Sequence, residues 1–314
     1  MWRLVLILLG VTLGGAPASA AEPLKVFSLP PILEAAPLLI AVEKSAASDV
    51  VGMPGGIPNL WEGEVVRFPG LADVAGNAET QALRFSLKHP DLRVILTVTE
   101  GLYRIVARRS AGIASLADLK GKRVATQADT SAAYYLKSAL ATGGLAEADV
   151  QIVASTPAAM ADALIARQID AIAIWEPQAE RAALALGADA VSLRPNQPYR
   201  EFYSLNTTAA ALADPAKRAQ IVAFVRTLIG ACRDVAASPE RAQALYAARS
   251  GNDAAVIRSA WPHHRFSCSL PAELADIMAQ EEQWMAGLDK RAPRTREEIA
   301  KLIDASVLNE AMQR

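Results

Sequence analysis

At 314 residues the chain is long enough for one large domain or two lobes of ordinary size, and 52% hydrophobic against 21% charged residues excludes an intrinsically disordered chain. With 32 basic and 33 acidic residues the net charge is −1, so there is no electrostatic footprint for nucleic acid. Beyond residue 20 no stretch is both apolar and long enough to span a bilayer.

Residues 1–20 have the three parts of a removable export signal: Arg3 at the positive end, an apolar run from Leu4 to Leu13, and Ala18-Ser19-Ala20 at a cleavage site. Ten apolar residues cover about 15 Å of helix, half of a hydrocarbon core of about 30 Å, so cleavage near Ala20 and a periplasmic location are expected rather than a membrane anchor. No cysteine lies near the cut to carry a lipid.

Leu24–Phe27 predicts a strand, followed by a Pro30-Pro31 loop and a helix over Pro37–Glu43. Residues 52–63, dense in Gly and Pro, predict a loop that carries Trp61 as a lid. A strand over Leu71–Ala75, a helix over Glu79–Lys88 and a strand over Leu92–Val98 follow, with His89 at the helix end interacting only with the last carbonyls. Ser115–Asp118 opens a short helix, Arg123–Thr126 is a strand, and Asp129-Thr130-Ser131 caps a helix that runs to Gly143-Gly144. Val150–Val153, Pro157–Gln168 and Asp170–Trp175 continue the alternation, and Pro177 starts a helix ending near Gly187. Alternation of this kind implies a mostly parallel sheet covered on both faces. Past residue 205 come Ala-rich helices at about 215–236, 239–249, 254–261, 271–288 and 296–310.

In an open α/β sheet ligands gather at the carboxyl ends of the strands, which singles out three strand-to-helix turns: Asn77, Glu79 and Thr80; Thr130 and Ser131; and Trp175-Glu176. Helix capping alone also accounts for the hydroxyls, and core packing for the tryptophan. His263-His264-Arg265 reads as a solvated loop, because adjacent histidines do not converge on a metal as an i, i+4 pair does. Cys232 and Cys268 either pair or remain as thiols, since Cys232 falls in an apolar helical stretch. No catalytic triad, phosphate-binding glycine loop or metal-ligand spacing is present, so neither an enzyme nor a cofactor is expected.

Gly112-Ile113, Ser115–Val124, Gly144-Leu145, Gln168–Ala171 and Trp175-Glu176-Pro177 resemble, in order and spacing, the substrate-binding proteins of ABC importers of the nitrate, sulfonate and taurine type, grouped with THI5-like proteins. Ala36-Pro37-Leu38, Ala72–Ala75 and Ser238-Pro239-Glu240 extend the likeness more weakly. The resemblance implies an α/β, two-lobed periplasmic-binding-protein fold of type II with a ligand cleft between the lobes. Its lobes would comprise 21–105, 106–201 and a return over 202–314, with crossings near Leu102–Arg108 and Tyr199–Asn206. It places Ser28, Glu34, Asn77, Glu79, Thr80, Thr130, Ser131, Trp175 and Glu176 at the ligand and leaves the segment 45–72, where the family's strand and helix are replaced, undefined. The implied partners are a small molecule and an ABC-transporter permease, met by a monomer. Glu34 and Glu79 oppose an anion, since like charge in a desolvated cleft is costly, so a cationic, polyol or neutral aromatic solute is equally compatible. A ligand-presenting sensor of the same fold and a pyrimidine-forming THI5-like enzyme are the alternatives; the enzyme branch is cytoplasmic, against the export signal here.

Overall fold

Two mixed sheets organise the molecule. The computed structural model describes residues 22–28, 32–197 and 199–313; the leader expected at 1–20 and the Pro30-Pro31 turn lie outside them. The strands are β1 Leu24–Ser28, β2 Val50–Pro54, β3 Val74–Ala78, β4 Leu92–Leu102, β5 Ile105–Arg108, β6 Arg123–Thr126, β7 Gln151–Ala154, β8 Ala171–Ala173, β9 Ala190–Leu193, β10 Arg200–Thr208 and β11 His264–Arg265. The helices are α1 Ala36–Lys44, α2 Glu79–Ser86, α3 Ser131–Thr142, α4 Pro157–Ile165, α5 Gln178–Leu186, α6 Ala209–Ala213, α7 Pro215–Ala237, α8 Pro239–Ser250, α9 Ala254–Ala260, α10 Leu274–Leu288, α11 Arg296–Ala300 and α12 Ser306–Met312.

One sheet runs β11-β4-β10-β3-β1-β2 and the other β7-β6-β8-β5-β9. Each has a parallel trio, β2-β1-β3 or β7-β6-β8, flanked by an antiparallel strand, β10 or β5, that is the first strand after the chain crosses into that sheet. The chain leaves the first sheet at Leu102, enters the second at Ile105, and returns between Leu193 and Arg200. Both expected crossings are therefore mostly strand. Strand alternation splits the core of the first sheet: Leu24, Val26 and Val74 face Phe224, Val225 and Leu228 of α7, while Phe27 and Ala75 face Met278 and Met285 of α10. Val124, Ala125 and Ile172 of the second sheet pack with Tyr135, Leu136 and Ala139 of α3. Among the described residues no helix is long and apolar enough to cross a membrane.

Several expectations need correction. Val50–Pro54 is a strand, not the start of a loop, paired in parallel with all of β1. Its Gly52 serves close packing: a Cβ there would come within 2.8 Å of Val42 on α1. The strand expected at 71–75 forms three residues later, because Ala72 is held by Asn59 and Asp73 by Lys25 outside the ladder. The helix expected over 296–310 is broken where Leu302 O accepts from Val94 N at 2.7 Å and Asp304 N donates back to Val94 O at 2.9 Å, so the chain adds a bridge to the sheet edge. Helix α5 begins at Gln178, and Pro177 follows a cis peptide as its cap. Trp61 is no lid: its ring stacks on His89 with centroids 3.8 Å apart. His89 in turn meets Glu64 through Nε2 at 2.8 Å rather than a helix carbonyl. His264 is buried in β11 against Gly101, so the histidine pair is not a solvated loop. Cys232 and Cys268 are joined in a disulfide that ties α7 to the segment after β11.

Candidate functional site

The carboxyl ends of β1, β3, β6, β7 and β8 converge on a cavity of about 750 Å³. From the first sheet its wall takes Ile32, Glu34, Arg67, Asn77, Ala78, Thr80, Gln81, Tyr103, Glu201 and Tyr203. From the second come Gln127, Ala128, Thr130, Ser131, Ala154–Ala158, Trp175, Pro177 and Gln178. That volume is the size of a small-molecule pocket. Contacts between the halves close one side: Gln81 Nε2 donates to Asp129 O at 3.0 Å, and Arg84 Nη2 lies 3.3 Å from Asp129 Oδ1.

Six of the nine residues expected at a ligand stand on this wall: Glu34, Asn77, Thr80, Thr130, Ser131 and Trp175. Capping and lining prove compatible. Thr130 Oγ1 accepts from Ala132 N at 3.3 Å and donates to Gln127 O at 2.8 Å, fixing the start of α3 while remaining on the cavity side. Ser131 Oγ meets the Tyr103 hydroxyl at 3.1 Å, a bond between the halves. Asn77 Oδ1 accepts from Ala78 N at 2.9 Å, leaving its amide nitrogen for another partner. Thr80 Oγ1 is buried without a hydrogen-bond partner among the described residues.

The other three expected residues do not reach the wall. Ser28 ends β1, where its carbonyl accepts from Gly55 N. Glu79 lies beneath the cavity: Oε2 accepts from Phe202 N at 2.9 Å, and Tyr199 Oη is 3.0 Å from Glu79 Oε1 and 2.8 Å from Glu281 Oε1. One hydroxyl has a single proton, so if it donates to one carboxyl it must accept from the other. Burial accordingly pushes Glu79 up to about 7, against the hydrogen bonds that favour its charged form. Burial, then the charge of Glu79, raises Glu281 further.

Glu176 belongs to a polar knot behind Trp175. Its Oε1 accepts from Arg104 Nε at 3.1 Å and Nη2 at 2.9 Å, and its Oε2 accepts from Glu180 N at 2.7 Å in the first turn of α5. Glu180 also pairs with Arg104 and Ser259, and hydrogen bonding from His263, then Ser259 and Arg104, holds it down at about 2 against burial. The ligand atoms of Glu176, Glu180 and His263 fall within 4.8 Å of one another, a cation-sized spacing. Arg104, donating to both carboxylates, is the cation that occupies it.

Nine polar or charged residues of the described wall lie outside the expected set, and four of them escaped it for identifiable reasons. Tyr103 sits in the two-residue passage between sheets, Gln127 and Ser155 immediately follow strands, and Glu201 lies within β10, where a charged residue next to Arg200 looks like a solvated edge. For Gln127 and Ser155 the strand-end rule was the available signal.

A match to known proteins follows the same frame. Over 74 residues the chain is 38% identical to a protein of Brucella abortus named as a binding protein; the match spans 24% of this chain and 23% of that relative's length. The periplasmic aliphatic sulphonate binding protein SsuA of Escherichia coli superposes with a TM-score of 0.72 at 22% identity, covering 90% of this chain and 92% of that one. The desulfurization enzyme DSZB does so at 0.63 and 16% identity, covering 93% and 99%, so the fold is shared by a binder and a catalyst. The sequence profile of the family described as NMT1/THI5 like matches residues 69–242, more than half of the chain. The chain therefore belongs to the NMT1/THI5-like family, the one its residues 112–177 resemble, with the mixed α/β two-sheet fold of the periplasmic binding proteins.

Proposed function

We propose that the protein is a periplasmic solute-binding protein that delivers a small molecule to an ABC importer. The observation that carries this reading is the cavity of about 750 Å³ whose wall is divided between two sheets that the chain crosses between at Leu102–Ile105 and between Leu193 and Arg200. Such a geometry lets a solute contact both halves at once, so that it binds the closed arrangement better than the open one, which is the requirement for ligand-driven closure. In this reading the lobes are 21–105 with 202–314, and 106–201; the leader 1–20 is removed on export, and the closed monomer presents both lobes to a permease. The wall residues Glu34, Asn77, Thr80, Thr130, Ser131 and Trp175 hold the solute, and no cofactor or catalytic step is involved.

Native mass spectrometry of the freshly purified protein, followed by small-angle scattering with and without the molecule it releases, tests the proposal. A co-purifying small molecule whose removal increases the radius of gyration supports it. A protein that carries and binds no solute, or one that chemically converts it, overturns it. Loss of solute uptake on deleting the gene for this protein supports delivery, and unchanged uptake supports ligand presentation to a sensor.

A further inference from the structure

Two buried acids on the cavity wall, Glu34 and Glu201, keep carboxyl oxygens without a hydrogen-bond partner among the described residues. Glu34 is 2% exposed, and neither of its oxygens has a hydrogen-bond partner among the described residues; the nearest ionisable nitrogen, His264 Nε2, stands 3.6 Å from Oε1. Glu201 is likewise 2% exposed, with Oε2 unpartnered among the described residues. The two converge. Glu201 Oε2 and Glu34 Oε1 lie 2.9 and 3.5 Å from one point, the position a Cβ would take on Gly101, the cross-strand partner of Glu201. Orphaned buried acceptors are expensive, and a site that keeps two of them facing a cavity is built for a donor that arrives from outside.

The rest of the wall selects among donors. Arg67 is the one cationic side chain among the described lining residues, and it is exposed, with its guanidinium over the Phe68 ring. Arg104, the next cation inward, is committed to Glu176 and Glu180. An anionic head group placed beside Glu34 and Glu201 would meet two acidic side chains in a water-poor site, where the nearest ionisable nitrogen, His264 Nε2, already stands beside Glu34. Tyr103 and Trp175, which line the cavity with Glu34, add aromatic surface that suits an organic group.

We infer that the solute is an organic cation, a protonated amine or amidine, whose positive group lodges against the carboxylates of Glu34 and Glu201. Burial, followed by the neighbouring charges of Glu79 and Glu34, raises Glu201 well above the ordinary carboxylate range, so the empty site holds a proton that the cation displaces. The assignment rests on the solute-binding reading and sharpens it to a ligand class.

Isothermal titration calorimetry of the purified protein against benzamidine, phenethylamine and choline, with benzyl alcohol as the neutral and benzenesulfonate and nitrate as the anionic probes, tests it alongside identification of the co-purifying molecule. The expected result is a cationic co-purifying solute or a cation-selective panel, with binding weakened at least about 30-fold by Glu34→Gln and by Glu201→Gln. Both substitutions keep size and hydrogen bonding, and either suffices if the other fails to fold. A bound anion or neutral molecule, or affinity unchanged in both variants, overturns the cation assignment and leaves solute binding standing. Absence of any bound or binding molecule overturns both.

Discussion

Replacing Glu79 with Gln tests whether the buried carboxyl pair beneath the cavity is protonated in the folded state. Glu79 and Glu281 share the Tyr199 hydroxyl, both are fully buried, and Glu79 is pushed up from 4.5 to about 7 by burial. A group raised in the folded state contributes stability that is complete below its unfolded value and is lost as pH rises through its folded value. Here the window is about pH 4.5 to 7, and the shift corresponds to roughly 3 kcal/mol. Denaturant unfolding at intervals from pH 5 to 8 therefore shows the wild-type protein weakening with rising pH, and Glu79→Gln, which stays neutral and still accepts from Phe202 N, weakening by about 2 kcal/mol less over the same range. Because Glu201 and Glu281 shift in the same direction, only this difference reports Glu79. Parallel pH profiles for the two proteins would refute the shared-proton arrangement.

Gly101→Ala places a methyl 2.9 Å from Glu201 Oε2; solute affinity is expected to fall about tenfold by calorimetry with little change in thermal midpoint, because the crowded atom is the movable end of a side chain. Cys232→Ser with Cys268→Ser opens a loop with a sequence separation of 36, and chain entropy gives a loss of about 4 kcal/mol in unfolding free energy, reproduced in the wild type by reductant. Arg104→Ala leaves Glu176 and Glu180 buried without their cation, at a cost of about 3–5 kcal/mol in chemical denaturation that adding Glu180→Gln partly recovers.

Much of the frame was legible because it depends on local chemistry. Arg123–Thr126 is a strand as expected, since apolar and β-branched residues sit between Gly121 and the Thr130 cap, and α3 begins where that cap places it. The misreadings share a cause: a residue whose role is set by something distant in sequence. Gly52 looked like a turn residue until Val42 of α1 was found against it. Trp61 reads locally as a lid and His89 as a partner of the last helix carbonyls, yet the two stack on each other across 28 residues. The carboxyl oxygens of Glu282, with Arg291 and Arg294 around them, hold the end of α10 to the loop before α11, a linkage that no local pattern announces.

The site divides along the same line. Asn77, Thr80, Thr130, Ser131 and Trp175 were legible because the strand-end rule is topological and needs only the order of elements, whereas the acid pair needed the register. Glu201 faces Glu34 because β10, arriving from the far lobe, inserts antiparallel between β3 and β4 and sets residue 201 opposite Gly101. A slip of one residue would turn its carboxylate to the other face of the sheet. The absence of a Cβ at Gly101 is what lets both carboxyl groups approach that strand, so the glycine and the two acids form one feature assembled from β4, β10 and the turn before α1. Family membership constrains the fold that brings these segments together, and the side chains they carry determine the solute's charge. In the proposed cation reading, a sulfonate-sized head group would meet Glu34 and Glu201, while Arg67, the one arginine or lysine on the described cavity wall, is exposed.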